Sequence, residues 1–236
     1  MNLMRRILIV ALILGSVSYV SAQSTDTEDA TGKTFRATSF NQWQGVELFA
    51  KSKSSYLPLK PAKSSYTRSF RYVGNTIVLY KEGLSDEGKE IFLEAMKVVV
   101  PPSVIEPLLI LAWDGTRKKG VAKVIEFSPS KFRYGSYQIV NFSQLPLGGH
   151  IGSKSNKVVC LPGKEYITSF NFEEGKAVAI VFYVRENNEL KKVFGSITTH
   201  RNRKRAVYLM YPEHNKLNKT VFKSSVIVDV ARASDS

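Results

Sequence analysis

The sequence has one cysteine, nine prolines, two tryptophans and three histidines, and its 34 Lys and Arg outnumber 20 Asp and Glu. Each scarcity excludes a class of chemistry. A single thiol, Cys160, has no intramolecular partner, so the fold must stand on its core without a disulfide. Cys160 lies in VVCLPG and reads as a small buried apolar residue. A blue-copper site needs two His, a Cys and an axial ligand. Here Cys160 is followed by LPGKEY, while His150, His200 and His214 lie elsewhere. No two His or Cys fall at the spacing that zinc requires. There is no Gly-x-Ser-x-Gly elbow. Acids are few and sit mostly in turns, as in Asp86-Glu87, Glu173-Glu174, Glu186 and Glu189, which argues against paired catalytic carboxylates. The sequence predicts no catalytic residue, no cofactor and no metal site.

Long apolar runs are also missing, except near the start. Arg5 and Arg6 precede an apolar stretch, Ile7 to Leu14, and Val20-Ser21-Ala22 offers the small residues that signal peptidase needs. Residues 1–22 therefore read as a signal peptide cleaved after Ala22, and the protein as exported, periplasmic or extracellular. The apolar part is short of the ~20 residues of a membrane span, so an integral membrane protein is not expected. Residues 23–33 are polar and acidic and read as a disordered leader.

What the chain does contain is a repeat. Phe35 to Lys81 reads FRATSFNQWQGVELFAKSKSSYLPLKPAKSSYTRSFRYVGNTIVLYK, and Tyr137 to Val184 reads YQIVNFSQLPLGGHIGSKSNKVVCLPGKEYITSFNFEEGKAVAIVFYV. Both begin with an alternating run. Both carry a Pro-containing turn followed by lysine, LKPAK and LPGK, then Ser-Phe, then an apolar strand. Further on, LLILAW matches VYLMY, and Val121-Ala122-Lys123 matches Val221-Phe222-Lys223. Short strands separated by turn residues predict an all-β fold of two tandem, immunoglobulin-like antiparallel β-sandwich domains, 34–128 and 135–230. Ser128 to Tyr134 is the linker. One short helix is expected in the first domain. Ser85 can cap it, Asp86 and Glu87 suit its positive end, and Ile91, Phe92, Ala95 and Met96 recur at helical spacing. Gly148-Gly149 and Gly163 read as turns, and Asp114-Gly115 and Asn187-Asn188 as hairpin tips.

The net charge of +14 favours anionic partners. The sharpest local feature is His200-Arg201-Asn202-Arg203-Lys204-Arg205. Arg201, Arg203, Lys204 and Arg205 are the candidate anion-binding residues. The equivalent stretch of the first repeat, PPSVIEP, is not basic, so the fold does not require these charges. Export and the lack of a recognised motif argue against nucleic acid. Trp43, Trp113, Tyr56, Tyr66, Tyr72, Tyr208 and Tyr211 are expected in cores or at an inter-domain seam rather than on a carbohydrate platform. Asn141-Phe142-Ser143 and Asn218-Lys219-Thr220 are glycosylation sequons.

Through YQIVNFS and CLPGK, the second repeat resembles secreted bacterial β-sandwich proteins of unknown function built from tandem repeats. Domain one departs from their turn, with KPAK in place of Pro-Gly. The resemblance implies export and a β-sandwich and brings no catalytic residues. The expected function is that of a non-catalytic structural or protein-interaction module of the cell envelope. The alternative is a polyanion-binding module that meets an acidic glycan or lipopolysaccharide surface through the basic loop.

Overall fold

Alternation of apolar and polar residues fails at Leu108–Leu111 and again at Ala206–Tyr211. A strand that is apolar on both faces must be covered on both. In the computed structural model these two runs lie back to back at the centre, and they set the architecture. The structure describes residues 32–40, 43–114, 118–168, 170–186, 188–214 and 220–231. The signal segment, the leader up to Thr31, Gly115, Asn187 and Asn218-Lys219 lie outside the described residues.

Every helix and strand among the described residues is a strand. The first half contains β1 (Lys33–Ser39), β2 (Phe49–Ser52), β3 (Ser55–Pro58), β4 (Phe70–Tyr72), β5 (Thr76–Leu84), β6 (Glu90–Val99), β7 (Pro107–Asp114) and β8 (Lys119–Glu126). The second contains β9 (Tyr137–Asn141), β10 (Leu147–Ile151), β11 (Lys157–Cys160), β12 (Glu165–Ile167), β13 (Ala177–Glu186), β14 (Glu189–Thr199), β15 (Lys204–His214) and β16 (Thr220–Val230). They form four sheets of four strands. The orders are β4-β1-β7-β8 and β3-β2-β5-β6 in the first half, and β12-β9-β15-β16 and β11-β10-β13-β14 in the second. The second pair of sheets repeats the first strand for strand, and no sheet draws strands from both halves. Even the irregularities recur. A bulge falls between Leu79 and Tyr80 in the β5–β6 ladder and between Phe182 and Tyr183 in β13–β14.

Three expectations need correction. The sheets are not wholly antiparallel, because β7 runs parallel to β1 and β15 parallel to β9. The strand orders accordingly differ from the A-B-E-D and C-F-G of an immunoglobulin domain. Second, Ser85 to Lys97 is not a helix. Ser85 starts a hairpin turn in which its Oγ accepts from Lys89 N (3.1 Å), with Gly88 at φ 76°, and β6 follows. The helix-like spacing came from the bulge. Ala95 is the extra residue, so Met96 pairs with Leu79 while Glu94 pairs with Tyr80, and apolar residues on both faces mimic a period near 3.6. Third, Gly148 and Gly149 lie within β10, not in a turn. A Cβ on Gly149 would sit 2.1 Å from the Val181 carbonyl oxygen, so β13 can approach only a glycine there. Gly163 is in a turn as expected, at φ 66°.

Each half has its own core. Leu109 and Leu111 of β7 pack with Phe35, Ile77 and Leu79. Tyr208 and Met210 of β15 pack with Ile139, Ile180 and Phe182. The opposite faces of the same strands form a third core between the halves, where Leu108, Ile110, Ile125 and Phe127 meet Val140, Val207, Leu209 and Ile227. Each fully buried side chain of this kind contributes about 1.5–3 kcal/mol. The linker joins in, since Phe132 is fully buried in this seam and its N–H is held by Ser128 O (2.9 Å). The contact is reciprocal. Lys123 of β8 donates to Gly163 O in the second half's turn (2.7 Å), and Ser64 in the first half's turn bonds Ser225 of β16 (3.1 Å).

Candidate functional site

The basic run divides at the start of β15. Strand alternation sends Arg205 to the same face as Val207 and Leu209, which is the seam. Arg205 is 2% exposed. Its Nε and Nη2 bind Asp229 Oδ2 at 2.8 and 2.7 Å, its Nη1 donates to Phe132 O (2.7 Å), and its guanidinium carbon lies over the Phe127, Phe132 and Tyr134 rings, 4.3, 5.1 and 4.8 Å from their centroids. A charge so buried and paired is part of the interior. Arg205 therefore drops out of the surface anion-binding set.

The other three remain near the surface, with part of their charge already engaged. Arg201 pairs with Glu174 (3.2 Å), and Glu174 also accepts from Asn202 N. The backbone bond from Asn202, then the bond from Arg201, holds the Glu174 carboxyl below its ordinary range. Arg203 donates to Ala231 O (3.0 Å). Lys204 is half-buried at the first position of β15.

His200 fixes the shape of this turn. It is buried, its Nδ1 meets the Tyr137 hydroxyl (3.2 Å), and its Nε2 meets Asn202 Oδ1 (3.0 Å). With Nε2 protonated, Tyr137 donates at one end and the ring donates to Asn202 at the other. Beside this chain lies a cleft of about 680 Å³, whose walls include Lys131, Arg133, Phe170, Phe172, His200 and Asn202. Among the described residues no carboxylate lines it. Lys131 is partly spent, since it donates to Ser103 O and lies 3.9 Å from Glu126. The first half closes the same corner. Phe70 and Tyr72, which match Phe170 and Phe172 in the sequence repeat, are 4% and 7% exposed and pack around Phe35. Val100 stands where His200 does: its N–H bonds Asn75 O, as that of His200 bonds Lys176 O.

A second surface feature lies at the far side of the first half. The outer face of the β3-β2-β5-β6 sheet carries Phe49, Tyr56, Tyr80 and Phe92. The Tyr56 and Phe92 rings stack at 4.0 Å and 9°. Phe49 stands edge-on to Phe92, and Tyr80 to Tyr56, each at 5.0 Å. None of the four joins the three core clusters, but Phe49 is itself buried, 7% exposed, beneath the half-buried Tyr56, Tyr80 and Phe92. The register makes the comparison with the second half exact in position. Phe49 pairs with Tyr80 as Gly148 pairs with Tyr183, Lys51 with Tyr56 as His150 with Lys157, and Glu82 with Phe92 as Arg185 with Leu190. The aromatic quartet thus becomes Gly148, Lys157, Tyr183 and Leu190. Of the aromatic residues expected in cores or the seam, Tyr66 and Tyr211 are at the seam and Tyr72 and Tyr208 in cores, while Tyr56 faces outward.

Cys160 is buried among core residues, donates to Lys164 O (3.4 Å) and Ile139 O (3.6 Å), and has its thiol pushed up to about 11 by burial. So little thiolate at neutral pH makes a poor nucleophile.

No protein-family model matches the chain, and no curated protein matches it. What fold and sites define is a class: an all-β protein of two repeated sandwiches, with one aromatic outer face and one basic cleft.

Proposed function

We propose that the protein is a non-catalytic, exported protein-interaction module of the cell envelope, and that the aromatic outer face of its first sandwich is the contact surface. The observation that carries this reading is the comparison between halves. One backbone is built twice, with the same register and the same bulge, and only one copy bears the four aromatic residues. The second copy keeps an aromatic only at Tyr183, so the fold does not need the other three, and large aromatics are the residues that interfaces concentrate. Tyr56→Ser with Phe92→Ser tests the reading. Purified wild-type chain, cross-linked in its native envelope, yields a defined adduct that the variant fails to form while its melting temperature holds. Equal adducts from both proteins remove this surface.

The basic corner supports a second reading, binding of an acidic glycan or anionic lipid surface, because the cleft next to the Arg201–Lys204 turn has Lys131 and Arg133 and, among the described residues, no carboxylate on its walls. Retention on a heparin column at rising salt measures it. Replacing those three residues by Ala lowers the salt needed for elution if the turn contributes. An unchanged elution point removes the turn from the reading.

A further inference from the structure

The anion-binding reading leaves open where a ligand sits, and the inference drawn here rests on that reading. The cleft between the linker and β12 combines three kinds of group. Arg133 on its rim is exposed, and among the described residues its guanidinium has no ion-pair partner. Phe170 and Phe172 are only half-buried, 6.3 Å apart and edge to face, with ring surface turned to the cleft. Asn202, whose oxygen is taken up by His200, keeps its amide nitrogen to donate. The volume, about 680 Å³, is that of a small-molecule site, typically about 300–1,000 Å³.

We propose that this cleft binds an acidic saccharide. The carboxylate of a sugar acid is met by Arg133, and the apolar face of the sugar ring lies on Phe170 or Phe172. Ring hydroxyls take hydrogen bonds from Asn202 and neighbouring backbone. A guanidinium presents a planar fork that matches a carboxylate. Aromatic rings give the apolar counterpart that an anion alone would not require.

The internal comparison argues that the cleft is not a by-product of folding. In the first half the aromatic pair that matches in the sequence repeat, Phe70 and Tyr72, is buried, and Phe35 and Val100 stand in place of Tyr137 and His200. The second half exchanges Phe35 and Val100 for a buried, hydrogen-bonded His–Tyr pair that holds Asn202 in the cleft wall. Burial of polar groups costs stability unless each is bonded, so a fold that managed without them gains nothing by acquiring them.

The test is calorimetric titration of the full chain with tetragalacturonate, its neutral methyl ester and inorganic phosphate. The expected result is binding of the acid, with the ester at least about tenfold weaker. Arg133→Glu, on an exposed side chain that leaves the fold intact by melting temperature, is expected to lose about tenfold or more in affinity, as charge-assisted bonds of this kind do. The triple Ala variant at Arg201, Arg203 and Lys204, outside the cleft, is expected to keep the affinity within about threefold. Arg133→Glu binding as the wild type does, ester binding as acid does, or binding of phosphate alone overturns the proposal. Loss in the triple variant but not in Arg133→Glu overturns the cleft and leaves anion binding at the turn. A wild-type chain that heparin does not retain even at low salt removes the parent reading as well.

Discussion

Arg205 and Asp229 face each other across the β15–β16 ladder, and their ion pair is the point where the second half grips the first. Asp229 Oδ2 holds Arg205, and Oδ1 accepts from the Tyr66 hydroxyl at 2.5 Å. Burial, then the bond to Asp229, pushes the Tyr66 phenol up to about 12, so it stays protonated as a donor. Asp229→Ala leaves a guanidinium buried without its counter-charge, and the expected loss is about 3–5 kcal/mol by urea denaturation. Tyr66→Phe removes one bond to a charged group and costs about 1–3 kcal/mol. The double variant is expected to lose less than the sum by about 0.5 kcal/mol or more, because both changes act through one carboxylate. Additive losses would contradict a shared network.

Glu126 closes the first half in another way. Its carboxylate is almost wholly buried and accepts from the backbone N–H groups of Ile105, Glu106, Phe127 and Ser128. Burial alone would raise its pKa. The backbone bonds outweigh that and hold it below the ordinary value. A depressed carboxyl gives stability that is full above the unfolded pKa of about 4.3 and is lost as pH falls through the folded value. Wild type should therefore lose stability below about pH 4 more steeply than Glu126→Gln, which should be less stable at pH 7 by about 1–3 kcal/mol. Parallel pH curves for the two proteins would refute the assignment.

The two adjacent glycines of β10 should behave oppositely. Gly149→Ala places a Cβ against the Val181 carbonyl and should prevent normal pairing of β10 with β13, seen as aggregation or a melting temperature lower by many degrees. Gly148→Ala meets nothing within 4 Å and should leave stability within about 1 kcal/mol. Equal tolerance at both positions would contradict the register.

The repeat was legible in the sequence because each strand's alternation, its Pro turn and its terminal aromatic recur, and those features dictate the same pairing twice. LLILAW and AVYLMY were legible as buried strands, but the second layer that covers them was not, since apolar runs do not say what lies against them. Arg205 was misread for a related reason. Within HRNRKR it looks like the fourth charge of a solvated tip, yet its period-two companions Val207 and Leu209 already placed it on an apolar face. Its partner Asp229 lies 24 residues away and is identified only by register. The hairpin at Ser85 was hidden by a single bulged residue, Ala95, which shifted the phase of β6. Phe170 and Phe172 carry the same letters as a buried pair would, and nothing local in the chain distinguishes a closed corner from an open one.

The reciprocal seam makes each half depend on the other. Cut at the linker, either half would show water a flat wall of Leu, Ile and Val on its second face. A lone copy would be insoluble or would seek another copy, turn against final strand in both directions. The seam thus makes each half the cover for the other's second face, while the outer sheets of both halves take no part in it.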